Sequence, residues 1–278
     1  MIKGIFAGRS VFFQLGVLFV LALTGLFFTS TVSFVLVVAL NAAGLGTDSV
    51  AFLQCVQLLV AVFVFLFPAA AVAWLCCEQP AAFLHLRRLP DLRLLGWIVA
   101  ATFLVSPTIS LVGYFNMQMQ LPDFMAPLER LMREMEDAAA ETVAKMLQEK
   151  GFLSLLVNLT VIAVAAGVCE EFLFRGTILS IFRQKIRNPH VAIWIVAIIF
   201  SAIHFQFYGF VPRMLLGAFL GYLLYWTKSI WAPVLAHFLN NAVAVTGMSS
   251  DSLKDSAFFS EELPTDDLGW FSVAAAVT

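Results

Sequence analysis

Three apolar stretches of this chain contain side chains that lipid does not tolerate without a reason. Glu170, Glu171 and Arg175 stand in one, His204 in a second, and His237 with Asn241 in a third. On the insertion scale an intramembrane charge costs on the order of 2.5–3.5 kcal/mol, so such residues face one another or a cavity and mark function. A Glu beside water in an enclosed cavity suits a general base. A neighbouring imidazole can share the water's proton, and a second imidazole with an amide can donate to the oxyanion that develops on a carbonyl. That set is sufficient for hydrolysis of an amide by water. The same residue types, two His with one or two Glu, also make a plausible Zn²⁺ ligand set of Glu170, His204 and His237 with an open water position. No Ser or Cys has a convincing base partner; Cys169 merely precedes Glu170.

Helical spacing divides the roles. Glu171 and Arg175 are four apart and share a face, so they can pair. Glu170 lies about 100° round the helix from Glu171, which leaves its carboxylate free. His237 and Asn241 are again four apart, with Asn240 turned aside. At 1.5 Å rise per residue, Glu170, His204 and Asn241 sit roughly 17–22 Å from the helix ends that carry basic residues, so one midplane cavity can hold the group.

The elements that must carry these residues follow from composition. Of the 278 residues 61% are hydrophobic and 12% charged, against about 45–50% and about 25% in an ordinary soluble domain. This excludes a soluble enzyme, a disordered chain, a coiled coil and a disulfide scaffold. Seven stretches are candidate spans: 11–40, 50–77, 95–116, 152–182, 189–208, 210–228 and 229–248. A short apolar stretch at 268–278 is a candidate eighth. Runs of this length are helices rather than barrel strands. The expected fold is all-α: a polytopic bundle of about seven to eight transmembrane helices in a single membrane domain, 1–278, with N-terminal spans in 1–116. The first three spans hold no charged residue and no His. Lys3 and Arg9 precede the first run as in a signal peptide, but Val11–Leu40 is too long for a cleaved segment and reads as a retained span.

Residues 117–151 break the pattern. Within 123–150 charges alternate with Phe124, Leu128, Leu131, Met135, Ala138 and Met146 at steps of three and four, the mark of an amphipathic helix that lies on the interface or docks on the bundle. Lys and Arg cluster at the N-terminus, in 78–94, in 183–188 and at Lys228, whereas 41–49 and 205–212 have none, which places the N-terminus in the cytoplasm and the acidic tail from 249 outside. The expected location is a bacterial inner membrane. Gly217 and Gly221 read as a close-packing pair. The four cysteines read as small buried hydrophobes. With a formal net charge of −2 the chain has no basic excess for nucleic acid; its expected partners are membrane lipid and a peptide or protein substrate.

The polar residues also carry a resemblance. Glu170-Glu171-Phe-Leu-Phe-Arg175 resembles the E-E-x-x-x-R motif of the CPBP intramembrane proteases, which include the type II CAAX prenyl endopeptidases and the bacteriocin-immunity (Abi) proteins. Phe200 to His204 resembles the family's F-x-x-x-H motif, and His237 to Asn241 its H-x-x-x-N motif. The motifs fall in order within 152–248, which is then the catalytic core. The resemblance implies an endopeptidase that cuts in or near the bilayer. Glu170 would activate water with His204, Glu171 would be held by Arg175, His237 and Asn241 would bind the oxyanion, and Phe200 would pack. The implied substrate is a peptide or protein, with a lipidated C-terminus as the archetype. The glutamate-and-histidine mechanism requires no cofactor and is favoured over the Zn²⁺ alternative. Two other classes use similar residues: a proton-coupled transporter, and a membrane scaffold or immunity protein in which the motifs only bind.

Overall fold

The computed structural model describes residues 3–44 and 49–250. Among them the longer helices are α1 (Val11–Ala42), α2 (Val50–Cys76), α3 (Leu92–Met117), α4 (Ala126–Met146), α5 (Phe152–Arg183), α6 (Pro189–Ala202), α7 (Phe210–Thr227) and α8 (Trp231–Ser249), and no strand forms. The chain is an all-α bundle. Four helices, α1, α2, α3 and α5, are long and apolar enough to cross a membrane. The candidate eighth span at 268–278 and the tail from 251 lie outside the described residues.

Local chemistry sets the helix ends. Ser10 Oγ accepts the Phe13 N–H at 3.3 Å, Ser49 Oγ that of Phe52 at 3.3 Å, and Asp91 Oδ1 that of Leu94 at 2.8 Å. Each side chain satisfies one of the backbone donors that a helix start leaves unpaired. Asn188 caps α6 in the same way at 2.9 Å, with Pro189 in the first turn. Lys228, at φ 57°, turns the chain out of α7 in the left-handed region.

One expectation needs correction here. The fifth apolar run was expected to be helical through 208, but α6 stops at Ala202 after 14 residues. A turn follows, with Phe205 at φ 54°, a conformation that cannot continue a right-handed helix. His204 therefore lies in a turn beyond the helix end. A second correction concerns Cys55, which is exposed on α2, whereas Cys76 and Cys169 are buried as expected.

Packing follows the pattern of a bundle that meets lipid. Phe12, Phe19, Phe27 and Phe34 form an exposed stripe on α1, while the core gathers on Phe174, Ile193, Ala197 and Phe200. Where two helices touch most closely, glycine supplies the room. A Cβ on Gly25 would stand 1.8 Å from the carbonyl oxygen of Phe63 on α2. On α7, Gly217 meets Ala197 and Phe200, and Gly221 meets Ile193, so this pair does bring α6 and α7 together. At one end of the bundle Gln14 bonds to Gln184 at 3.0 Å, and the His85 carbonyl accepts the Ile230 N–H at 3.2 Å. These contacts gather the start of α1, the loop before α3, the end of α5 and the α7–α8 turn, and with them the basic residues of those segments.

Candidate active site

The two adjacent glutamates sit in α5 between π-helical stretches, Leu159–Ala165 and Phe172–Ile178. Such widened turns recur at functional positions and disturb the regular pairing of carbonyls. Across from them runs α8, whose backbone approaches closely: a Cβ at Gly167 would come 3.2 Å from the Phe238 nitrogen. This closeness lets side chains of α5 and α8 meet.

Glu171 turns inward. Its Oε1 accepts from Arg175 Nη1 at 2.6 Å and contacts His237 Nδ1 at 2.8 Å. Glu171 and Arg175 are both fully buried. Arg175 also donates from Nη2 to the Gly217 carbonyl at 3.0 Å, which the close α6–α7 approach brings within reach. The Phe200 ring is the hub beneath this network. The guanidinium of Arg175 lies 4.5 Å from its centroid, and Phe174, His204 and His237 meet it edge-on at 5.1, 5.2 and 6.0 Å. A cation over a ring face and aromatic edges at these distances are favourable contacts.

Glu170 turns the other way. It makes no hydrogen bond to a described residue and lines a cavity of about 170 Å³ together with His204, His237 and Asn241. The structure thus brings all six predicted side chains to one place, four on the cavity and two behind it. His204 Nδ1 lies 2.8 Å from the Phe200 carbonyl; an oxygen acceptor there makes Nδ1 the protonated nitrogen and leaves Nε2 with a lone pair. The Glu171 carboxylate at Nδ1 of His237 accepts a hydrogen bond from that nitrogen, so Nε2 is the ring atom open to a substrate. Asn241 donates one amide hydrogen to the Ile162 carbonyl at 3.1 Å, within the first π-helical stretch, and keeps the other.

Three further polar residues border this cavity. Asn240, expected to be turned aside, is buried on the cavity wall and donates to Asn241 Oδ1 at 3.2 Å. The cavity wraps round α8 widely enough for adjacent positions, about 100° apart, to share it. Gln206 and Arg213 also line it, joined by a 2.8 Å bond from Arg213 Nη2 to Gln206 Oε1. Neither was expected at the site from the sequence. Gln206 carries no charge, and Arg213 reads as a loop-flanking base. The cue was an arginine at the start of an otherwise apolar helix.

The turn that carries His204 and Gln206 is held from outside by α4. Glu136 Oε2 accepts the Tyr208 N–H at 3.1 Å, Glu129 Oε1 accepts the Tyr208 hydroxyl at 3.2 Å, and the Arg133 guanidinium stacks 4.2 Å from the Tyr208 ring. Hydrogen bonds from Arg133 and from the Leu121 N–H hold the Glu129 carboxyl below its ordinary range, whereas burial pushes Glu136 up. Between α4 and the turn lies an apolar groove of about 300 Å³, lined by Leu131, Met135, Phe205, Phe207 and Phe210 among others, which meets the polar cavity at Gln206.

The donor set can be tested against a metal. Among the described residues no three His, Cys, Asp or Glu side chains are gathered closely enough to hold one ion, so Glu170, His204 and His237 do not form a ready ligand set.

Known proteins show a limited but pointed likeness. The chain is similar to an uncharacterized protein, YpbD, of Bacillus subtilis (strain 168), at 29% identity over 96 residues; the match covers 33% of this chain and 41% of the relative. No solved structure matches. Residues 152–243, the stretch that holds all six candidate residues, match the family described as type II CAAX prenyl endopeptidase Rce1-like, so this part of an integral membrane protein is similar to that family, consistent with the CPBP resemblance.

Proposed function

We propose that this chain is an intramembrane endopeptidase that hydrolyses a peptide bond in or near the bilayer, with Glu170 as its base. The observation that carries the reading is the single cavity shared by Glu170, His204, His237 and Asn241. Glu170 takes a proton from water, whose oxygen attacks the scissile carbonyl carbon. His204, through the lone pair on Nε2, orients that water. The oxyanion of the tetrahedral intermediate is bound by the free amide hydrogen of Asn241 and by the Nε2–H of His237, which in this step carries a proton on both nitrogens with Glu171 as its counter-ion. Collapse breaks the C–N bond, and Glu170 returns its proton to the leaving amine. Glu171 and Arg175 do not touch substrate; they hold His237 in place.

The apolar groove under α4 suits a hydrophobic or lipidated stretch of substrate beside the scissile bond, although no residue in it specifies a prenyl group. The mechanism uses no metal, and protein stripped by chelation and dialysis should keep its full rate. On this reading the N-terminus is cytoplasmic and the membrane is a bacterial inner membrane. The test is a comparison of membrane-proteome termini between cells with wild-type protein and with Glu170→Gln, followed by cleavage of the responsive peptide by purified protein. Glu170→Gln should remove at least about 10²-fold of the rate, the lower end for a general base. Cleavage at the wild-type rate would sink the proposal. Transport predicts instead a flux driven by a pH gradient with no new termini, and a scaffold predicts function that survives Glu170→Gln.

A further inference from the structure

The cavity holds one cation that the mechanism above does not use. Arg213 sits in the first turn of α7 and lines the cavity together with Glu170. The two are near enough for their charges to interact, yet no ion pair joins them among the described residues. Arg213 Nη2 is held by Gln206, whereas Nη1 is buried and has no hydrogen-bond partner. Glu136 of α4 attracts the same guanidinium from across the Tyr208 turn without forming an ion pair with it. Space has been kept for this head group: a Cβ at Gly209 would stand 3.0 Å from Nη2 and 3.3 Å from Nη1.

A buried guanidinium N–H left without an acceptor is costly unless something supplies one. Water alone gives no reason to keep a fork-shaped cation opposite the candidate base. A planar carboxylate does, because it matches the guanidinium geometry that a lysine could not offer. Neither Glu170 nor any other carboxylate among the described residues pairs with it, so a carboxylate brought by a bound molecule is the partner the geometry favours. Nothing on the cavity wall selects a phosphate over it, but a peptide substrate brings carboxylates of its own.

We propose that Arg213, oriented by Gln206 and given room by Gly209, binds a carboxylate of the substrate next to the scissile bond and so determines which peptides are cut. This rests on the proteolytic reading of the cavity. The carboxylate has two sources: the substrate's own C-terminus, or an acidic side chain close to the cut. In the first case the enzyme trims short C-terminal peptides; in the second it cuts beside Asp or Glu.

Full-length protein in detergent micelles is given two pairs of otherwise identical hydrophobic peptides. One pair ends in a free carboxylate or a carboxamide; the other has Glu or Gln after the scissile bond. Wild type should prefer the acid in one pair by about 10- to 100-fold in kcat/KM, the range for a hydrogen bond to a charged group, and the pair that responds identifies the source. Arg213→Gln should abolish the preference, the acidic peptide losing about 10- to 100-fold more kcat/KM than its neutral partner. Arg213→Lys should restore part of the preference, and Gly209→Ala should raise KM for the acid alone. Equal losses on both members of a pair, or a wild type that does not discriminate, would overturn the proposal and leave Glu170-dependent cleavage standing. Binding of the same peptides to Glu170→Gln protein reads Arg213 without turnover. Acid-selective binding lost in the Arg213→Gln, Glu170→Gln double variant would support the carboxylate site even if no peptide is cleaved. Binding without selectivity would refute it.

Discussion

Glu170 and Glu171 are neighbours in sequence with different surroundings. The carboxylate of Glu171 is enclosed by Arg175 and His237; that of Glu170 opens on the cavity. Removing one member of a buried ion pair leaves an uncompensated charge and costs about 3–5 kcal/mol. Arg175→Ala should therefore lower the stability of the folded protein by about that amount, read as denaturant or thermal unfolding in detergent. Glu170→Gln should leave the same unfolding curve nearly unmoved. If Arg175→Ala unfolds like wild type, the Glu171 network is not what holds His237. The division between the two glutamates was legible in the sequence, since the i, i+4 spacing to Arg175 singles out Glu171. The contact from His237 to Glu171 was not, because residues on α5 and α8 meet only through the close approach at Gly167.

At the scale of the elements, two devices place the site. One is glycine at helix crossings. Gly25→Ala would drive a methyl group to 1.8 Å from a backbone carbonyl that cannot rotate away, so α1 and α2 must separate. Overpacking of this kind costs about 1–3 kcal/mol or more. Thermal unfolding in micelles should show that loss for Gly25→Ala and none for Gly16→Ala, where no atom lies within 4 Å; equal behaviour of the two would mean that the helices do not cross there. The other device is α4. Its amphipathic pattern was readable from residue types, and its register agrees with the helix observed at Ala126–Met146. What it docks on was not readable. Tyr208 lies in a segment that looks like the tail of a span, and only the break after Ala202 exposes that turn to Glu129, Arg133 and Glu136.

For the molecule as a whole, charge and apolarity are sorted by end. The loop before α3, the end of α5 and the α7–α8 turn meet at one end of the bundle, and Arg87, Arg88, Arg183, Lys185 and Lys228 occur in those segments. On the proposed orientation this basic end faces the cytoplasm, where Lys and Arg of short loops are retained. Single cysteines placed at position 87 and at position 187 in a cysteine-free background should resist an impermeant thiol reagent in intact cells and react after lysis. Labelling of both in intact cells would invert the orientation.

Read as a string, this chain already determined an all-α membrane bundle, an amphipathic helix among apolar ones, and six polar side chains that belong together. Those facts rest on composition, on helical period and on the cost of charge in lipid, all of which act locally or on averages. Only the tertiary structure decided that His204 stands in a turn, that Asn240 shares the cavity, and that Arg213 faces Glu170 without pairing to it. Such outcomes depend on where one helix stops and how closely two others approach, and a linear pattern does not encode distances between segments that lie far apart along the chain.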